Sequence, residues 1–72
     1  MSVKEEKRAF VEQFLEPMLK DTDSKIVSVV YDKTPMYAEA VTVTWDNGNA
    51  KTANVTYDSK LAIVKDVLKQ IF

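Results

Sequence analysis

The stretch that decides the fold is Val41-Thr42-Val43-Thr44-Trp45-Asp46-Asn47-Gly48-Asn49-Ala50-Lys51-Thr52-Ala53-Asn54-Val55-Thr56-Tyr57. Alternating residues with high strand propensity on both sides of an Asn-Gly pair predict two antiparallel strands joined by a tight turn. A two-residue turn at Asn47-Gly48 would divide the apolar residues between the two sheet faces, which a half-buried sheet resists. A three-residue loop, Asp46–Gly48, gathers them on one face. Gly48, the single glycine of the chain, then supplies the positive φ that the last loop position needs.

This loop length predicts which residues share a face, because directly opposed residues of an antiparallel pair lie on the same side. The predicted core face holds Val41, Val43, Trp45, Lys51, Ala53, Val55 and Tyr57. The predicted open face holds Ala38, Ala40, Thr42, Thr44, Ala50, Thr52, Asn54 and Thr56. The open face contains no large apolar side chain. It is therefore either a solvated face built from good strand formers or a flat docking surface.

A further strand is predicted over residues 26–31, which are rich in valine and isoleucine. We expect Val27, Val29 and Tyr31 to face the core. Ile26 and Val30 would then lie beside the threonine face. Because both sides of this strand are apolar, the opposite assignment stays open.

The first segment has the periodicity of an amphipathic helix. Its apolar stripe comprises Val3, Phe10, Val11, Phe14, Leu15, Met18 and Leu19. Ser2 and Glu5 have the spacing of a capping box. Pro17 lacks the amide that a helix interior requires, so we expect the helix to kink or end near it.

The last segment also predicts a helix, capped by Asp58 or Ser59. Its apolar stripe comprises Leu61, Ile63, Val64, Val67, Leu68 and Ile71. The whole chain, residues 1–72, is therefore one α+β domain. We predict a two-layer α-β-β-β-α sandwich, with a three-stranded antiparallel meander and both helices packed on one face of the sheet. This leaves the threonine face uncovered and makes the first and third strands the sheet edges.

The composition excludes several kinds of chemistry. The absence of histidine and cysteine removes the commonest general base, the thiol nucleophile and most transition-metal ligands. Ten basic and 11 acidic residues give a net charge of −1, so no general field attracts nucleic acid. The sequence has no apolar run of about 18 residues for a membrane span. The charged residues 1–8 indicate a native start rather than a signal peptide, and Phe72 a native end. We therefore expect a cytoplasmic protein that is not an enzyme and binds no cofactor, metal or membrane.

Two acidic features are candidate sites. Glu39 is the best carboxylate candidate for catalysis, since alternation places it on the apolar face, where burial would raise its pKa. Asp21-Thr22-Asp23-Ser24 has the alternating oxygens of a calcium loop but lacks the later ligands, the loop glycine and the closing glutamate. Turn formation explains this second feature better than metal binding.

The order of helix, three strands and helix resembles that of the double-stranded RNA-binding domain. In that family a lysine-rich cluster opens the second helix, and a loop containing Gly-Pro follows the first strand. Here the helix opens Asp58-Ser59-Lys60-Leu61, and the loop reads Lys33-Thr34-Pro35-Met36. Lys60, Lys65 and Lys69 could form a basic strip on the last helix. The resemblance covers the topology and not the motifs.

These features together predict a small non-enzymatic protein-interaction module. Its partner would be another protein or a second copy of the chain in a homodimer, bound through the open face or an edge strand. The candidate face comprises Ala40, Thr42, Thr44, Thr52, Asn54 and Thr56, and a candidate loop comprises Met36 and Tyr37. One alternative is an inhibitor encoded by a phage or mobile element that acts on a host defence or nucleic-acid enzyme, as anti-CRISPR proteins do. Another is nucleic-acid binding with double-stranded-RNA-binding-domain-like topology.

Overall fold

The computed structural model describes residues 3–72, with side chains from residue 4 onward. The predicted cap at Ser2 and the side chain of Val3 lie outside the described residues. The N-terminal helix, residues 3–22, consists of α1 (Val3–Phe10), a π-helical turn (Val11–Leu15) and α2 (Glu16–Thr22). Three strands and a final helix follow: β1 (Ile26–Asp32), β2 (Ala40–Trp45), β3 (Ala50–Asn54) and α3 (Lys60–Ile71). The sheet is an antiparallel meander in the order β1-β2-β3. Both helices pack on one of its faces, which confirms the predicted two-layer α+β fold.

The predicted hairpin register is confirmed. Val41 lies opposite Ala53, and Val43 lies opposite Lys51. The Trp45 amide donates to the Asn49 carbonyl at 2.8 Å, which closes the three-residue loop. Gly48 adopts a φ of +87°. The turn and the hydrophobic alternation therefore agree on one register, as the sequence predicted.

The preferred assignment of β1 was wrong at its first two residues. A β-bulge separates Ile26, which lies opposite Trp45, from Ser28, which lies opposite Thr44. The extra residue resets the alternation, so that Ile26 and Val29 are both buried. Val27 is 50% exposed instead of lying in the core, whereas Val30 is 49% exposed beside the threonine face, as expected.

The N-terminal helix does not end at Pro17. It continues to Thr22, and the disturbance takes the form of the π-helical turn directly before the proline. In that turn the Glu16 amide donates to the carbonyl of Val11, five residues back. A regular α-helix would press the proline ring against the carbonyl four residues back and would leave that carbonyl without its donor. The wider turn relieves this conflict within a continuous helix.

Tyr57 was wrongly placed on the core face. β3 ends at Asn54, and Tyr57 adopts a left-handed backbone with a φ of 64°. Its side chain is 92% exposed. The Asp58 amide donates to the Val55 carbonyl at 3.0 Å, which closes the turn that directs Tyr57 out of the sheet.

One continuous core lies between the sheet and the helices. It comprises Val11, Leu15, Leu19, Ile26, Val29, Tyr31, Val41, Val43, Ala53, Val55, Ile63, Val67 and Ile71. Ser59 caps α3, since its hydroxyl accepts a hydrogen bond from the Ala62 amide at 3.2 Å. Several residues of the two predicted apolar stripes are absent from this core, and they form the surface described next.

Candidate interaction surface

The helix layer carries a large amount of exposed apolar surface. Five large apolar side chains of the two helices are about half exposed or more: Phe14 (57%), Met18 (52%), Leu61 (65%), Leu68 (49%) and Phe72 (53%). Phe10 and Val64 pack partly against the core beside them. The sequence predicted four of these five as core residues. Soluble monomers seldom expose contiguous apolar surface of this kind unless it has a binding role.

Hydrogen bonds to the sheet edges fix how each helix is rotated. Arg8 Nε donates to the Tyr31 carbonyl at 3.4 Å, and the Glu16 carboxylate accepts from the Val29 amide at 3.0 Å. The Gln70 amide group both accepts from the Asn54 amide at 2.8 Å and donates to the Asn54 carbonyl at 3.0 Å. The N-terminal helix is thereby held along β1, and α3 is held along β3.

This rotation turns the apolar flanks of the two helices toward each other. An α-helix advances about 100° per residue. With Gln70 directed at the outer edge of β3, Leu61 and Leu68 lie on the opposite flank of α3. With Glu16 directed at the outer edge of β1, Phe14 and Met18 lie on the inner flank of the N-terminal helix. We call the space between these two flanks the interhelical groove. The apolar residues on its two sides are Phe10, Phe14 and Met18 on the N-terminal helix and Leu61, Val64, Leu68 and Phe72 on and directly after α3.

Contacts at both ends of the interhelical groove support this geometry. One end is a cleft of about 230 Å³ lined by Glu6, Ala9, Phe10, Gln13, Phe14 and Lys60. This lining joins the N-terminal helix to the first residue of α3. At the other end the Phe72 ring lies 6.1 Å from the ring of Trp45, which belongs to the central strand. The Phe10 and Phe14 rings, which line the cleft, have their centroids 5.8 Å apart.

Charges of opposite sign flank the interhelical groove. On the N-terminal helix, Glu6 and Asp21 lie on the same helical stripe as Phe14. Glu6 lies toward the start of the helix and Asp21 toward its end. On α3, Lys65 lies on the stripe of the exposed leucines, and Lys60 lines the cleft at one end of the groove. All four charged residues are exposed. One wall of the groove is therefore acidic, and the other wall is basic.

The predicted open face is formed as expected, with one exception. Thr42 pairs with Thr52 across the strands, and their hydroxyl oxygens are 3.1 Å apart. Thr44 lies on the same face and is half-buried. Ala40 is buried, so this member of the candidate face offers no surface to a partner. Thr56 follows β3, where its hydroxyl donates to the Asn54 side chain at 2.7 Å.

The predicted loop candidates lie at the opposite end of the sheet from the Asn-Gly turn. Met36 is exposed, whereas Tyr37 is half-buried. The Tyr37 amide donates to the Thr34 hydroxyl at 2.9 Å, and its carbonyl accepts from the Thr34 amide at 2.9 Å. The loop is thus a closed turn with Met36 at its tip.

Glu39, the carboxylate candidate, belongs to a buried ion pair. Its carboxylate accepts from Lys7 Nζ at 2.8 Å, from the Tyr31 hydroxyl at 2.5 Å and from the Tyr57 amide at 2.8 Å. Burial alone would raise the pKa of Glu39, but these donors outweigh burial and hold the pKa at about 2. The expectation of a raised pKa was therefore wrong. Burial raises the pKa of Tyr31, and the hydrogen bond to Glu39 raises it further. A carboxylate held ionised by three donors is a structural element rather than a general base.

A second acidic group lies at the start of α3. Burial raises the pKa of Asp58 to about 6, and the neighbouring Asp66 adds to the increase. The Oδ2 atom of Asp58 has no hydrogen-bond partner within residues 3–72. The protonation of this carboxyl group is therefore sensitive to pH near 6.

The Asp21–Ser24 segment forms a turn. Asp23 accepts from Trp45 Nε1 at 2.9 Å and from the Lys25 amide at 3.0 Å. The hydrogen bond from Trp45, followed by that from Lys25, lowers the pKa of Asp23. Among the described residues, no three acidic side chains lie close enough to hold a metal ion. No helix of the described part of the chain is long and apolar enough to cross a membrane.

No protein-family description, curated protein or solved structure matches this chain.

Proposed function

We propose that the protein is a non-enzymatic interaction module that binds a protein chain through the interhelical groove. The observation that carries this proposal is the group of five exposed large apolar side chains along the two facing helix flanks. Burying them in an interface would contribute about 25 cal/mol for each Å² of apolar surface removed from water. Aromatic and methionine side chains are also enriched at the centres of protein interfaces.

Chemistry has less support among the described residues. Glu39, the buried carboxylate, is ionised and saturated by donors. The two-helix groove is instead a surface of the kind that accepts helices of a partner, whose apolar residues recur at three- and four-residue spacing. We also propose a cytoplasmic location, because a small domain without cysteine depends on no disulfide.

Photo-crosslinking in the native host tests the proposal. A photoreactive phenylalanine analogue would replace Phe14 in the interhelical groove or, as the matched control, Tyr57, an exposed aromatic residue outside it. We expect irradiation to give a discrete protein adduct from position 14 and none from position 57. Absence of an adduct at position 14, or equal adducts at both positions, would overturn the proposal.

Self-association through the open sheet face is the second candidate. Its support is the pairing of the Thr42 and Thr52 hydroxyls, which reduces the cost of removing them from water. Replacing Thr42 and Thr44 with lysine should abolish such a dimer and preserve the helical circular dichroism signal. A dimer of unchanged mass in light scattering would exclude the sheet-face interface.

The edge strands offer fewer free backbone groups than the sequence suggested. Arg8 and Glu16 occupy groups of Tyr31 and Val29 on β1, and Gln70 occupies both backbone groups of Asn54 on β3. Side chains that cover an edge in this way discourage pairing with another strand. The interhelical groove therefore has stronger support as an interface than either edge.

A further inference from the structure

We infer that the chain bound in the interhelical groove is a second copy of this protein, related by a twofold axis parallel to the helices. The inference rests on the proposed function, since it names the partner of the same surface. It is carried by the two oppositely charged walls of the groove, which Glu6 and Asp21 provide on one helix and Lys60 and Lys65 on the other.

The charge pattern selects the symmetry. A twofold axis along the groove places the N-terminal helix of each copy over α3 of its partner. Because Glu6 and Lys60 line the same cleft, the end of the acidic wall at Glu6 then meets the end of the basic wall at Lys60 twice. An axis across the groove would place the two N-terminal helices over each other, and their acidic residues would repel. A homodimer uses the same patch on both copies. A groove with one acidic and one basic wall is complementary to itself in the first arrangement only.

The lengths and directions of the helices agree with this arrangement. The start of α3, at Lys60, lines a cleft with Glu6 and Ala9 near the start of the N-terminal helix. Phe72, after the end of α3, packs against Trp45, whose indole donates to Asp23 directly after the N-terminal helix. The two helices therefore run in the same direction. Rotation about an axis parallel to the helices preserves that direction in the partner. At 1.5 Å per residue, the flank from Phe10 to Met18 spans about 12 Å and that from Leu61 to Phe72 about 16 Å. The apolar stretches can therefore overlap along most of their length.

The size of the face also suits a dimer. The whole molecule measures 33 × 24 × 19 Å along its principal axes. A standard stable interface buries about 800 Å² on each partner, which is about one sixth of the 4769 Å² accessible surface of this chain. Such burial would stabilise the folded state of a domain of this length, because a small chain covers only a limited part of its own apolar surface.

Light scattering coupled to size exclusion, over a wide concentration range, tests the dimer directly. We expect the wild-type chain to be a dimer. A Glu6→Lys/Asp21→Lys variant has two basic walls, and a Lys60→Glu/Lys65→Glu variant has two acidic walls. Each alone should dimerise at least about tenfold more weakly, because like charges then meet. An equimolar mixture should form a heterodimer, detected by native mass spectrometry.

The control variant is Lys33→Glu, which reverses an exposed charge in the β1–β2 loop and should leave the dimer intact. Circular dichroism of each variant establishes that it is folded. A wild-type chain that is monomeric at every concentration would overturn the inference. Wall variants that dimerise as strongly as the wild type would also overturn it.

The absence of native cysteine allows the axis to be tested by disulfide formation. Gln13 is exposed on the N-terminal helix, where it lines the cleft at one end of the groove, and Lys69 is exposed on α3. We expect a mixture of Gln13→Cys and Lys69→Cys chains to form a mixed disulfide dimer under mild oxidation, and each variant alone to form little. Efficient disulfide formation within each single variant would show like helices facing each other and would overturn the proposed axis.

These results separate the second copy from the wider proposal. A monomeric protein that still crosslinks from position 14 to a different protein would overturn the homodimer and leave the interaction function standing. A monomeric protein without any adduct would overturn both. A dimer disrupted by Thr42→Lys/Thr44→Lys and unaffected by the wall variants would assign self-association to the sheet face instead.

Discussion

Replacing Lys7 with methionine should destabilise the protein more than any other single lysine substitution on the N-terminal helix. Lys7 and Glu39 are 8% and 6% exposed, and their charged atoms are 2.8 Å apart. Methionine preserves much of the apolar stem but removes the only cation that contacts the Glu39 carboxylate among the described residues. The carboxylate would then remain buried with only the Tyr31 hydroxyl and the Tyr57 amide as donors.

The expected cost is large relative to the total stability. Removing one partner of a buried ion pair costs about 3–5 kcal/mol, because the other charge is left without compensation. A domain of this length has a free energy of unfolding of about 4–11 kcal/mol. We therefore expect Lys7→Met to lower the melting temperature by more than about 12 °C. The double variant Lys7→Met/Glu39→Gln, which removes both charges, should recover at least half of the loss.

The pH dependence provides a stricter test. The folded pKa of Glu39 is about 2, below its ordinary value of 4.5. In the wild type its contribution to stability is therefore present above pH 4.5 and is lost as the pH falls toward 2. Without Lys7, burial should dominate and raise the folded pKa. The carboxyl group is then favoured in its protonated form, so the cost of Lys7→Met should shrink between pH 7 and pH 4.

Urea unfolding at a fixed protein concentration measures both effects, with the single tryptophan, Trp45, as the fluorescent reporter. Lys4→Met is the matched control, since Lys4 is exposed on the same helix. That substitution should change the free energy of unfolding by less than about 0.5 kcal/mol. The reasoning fails if the two lysine variants are equally stable at pH 7, or if the cost of Lys7→Met is independent of pH.

Four further predictions concern the backbone irregularities and the second acidic group. In urea unfolding, Ile26→Ala should lower the free energy of unfolding by about 2–5 kcal/mol, and Val27→Ala by less than about 0.5 kcal/mol. The reason is that the bulge buries the side chain of Ile26 and leaves that of Val27 exposed. Equal losses for the two variants would contradict the bulge. Tyr57→Gly should raise the melting temperature, because glycine adopts the left-handed backbone conformation of this position without the strain of about 1 kcal/mol that tyrosine has there. A lower melting temperature would show that the tyrosine ring stabilises the fold. Gly48→Ala should destabilise by about 1 kcal/mol in the same assay through backbone strain alone, because no atom lies within 4 Å of the added Cβ; an unchanged midpoint would contradict this. The Asp58 contribution, whose folded pKa of about 6 exceeds its ordinary 3.8, should be present below pH 3.8 and lost as the pH rises through 6; urea unfolding from pH 4 to 7 should show that loss in the wild type and not in Asp58→Asn.

The register of the hairpin was predictable because two local constraints agree. Gly48 fixes the end of a three-residue loop, and the alternation on both strands then determines which residues share a face. A different loop parity would have divided Val41 and Val43 from Ala53. Both signals act within a few residues of the turn, so the sequence alone carries them.

The start of β1 was not predictable in the same way. Ile26, Val27, Val29 and Val30 are all apolar, so strict alternation offers two core faces of nearly equal hydrophobicity. Because of the bulge, Ile26 and Val29 are both buried in the core, although strict alternation would place them on opposite faces. Nothing local to the strand distinguishes this solution, because the choice depends on packing against the helices.

The interhelical groove was missed for a related reason. Helical periodicity correctly showed that Phe14 and Leu68 lie on apolar stripes, and both were therefore expected in the core. How much of a stripe the sheet covers depends on the rotation of the helix. That rotation is set by contacts between distant residues, such as Gln70 with Asn54 and Glu16 with the β1 backbone. Such contacts have no signature in a single sequence.

The same contacts both occupy backbone groups at the sheet edges and set the helix rotation that forms the interhelical groove. Neighbouring strands lie about 4.8 Å apart, so the outer strands of a three-stranded sheet are about 10 Å apart, close to the separation of two packed helices. Arg8, Glu16 and Gln70 anchor the helices to those outer strands and occupy backbone groups that another strand could have paired with. The inner flanks of the two helices are thereby directed toward the interhelical groove, which has a helix on each side and, within residues 3–72, no third helix to cover it. The contacts that occupy the sheet edges are thus also the contacts that leave large apolar side chains exposed on the helix layer. In the proposed dimer, the helices of a second copy of this chain would cover the interhelical groove and bring charges of opposite sign to its two walls.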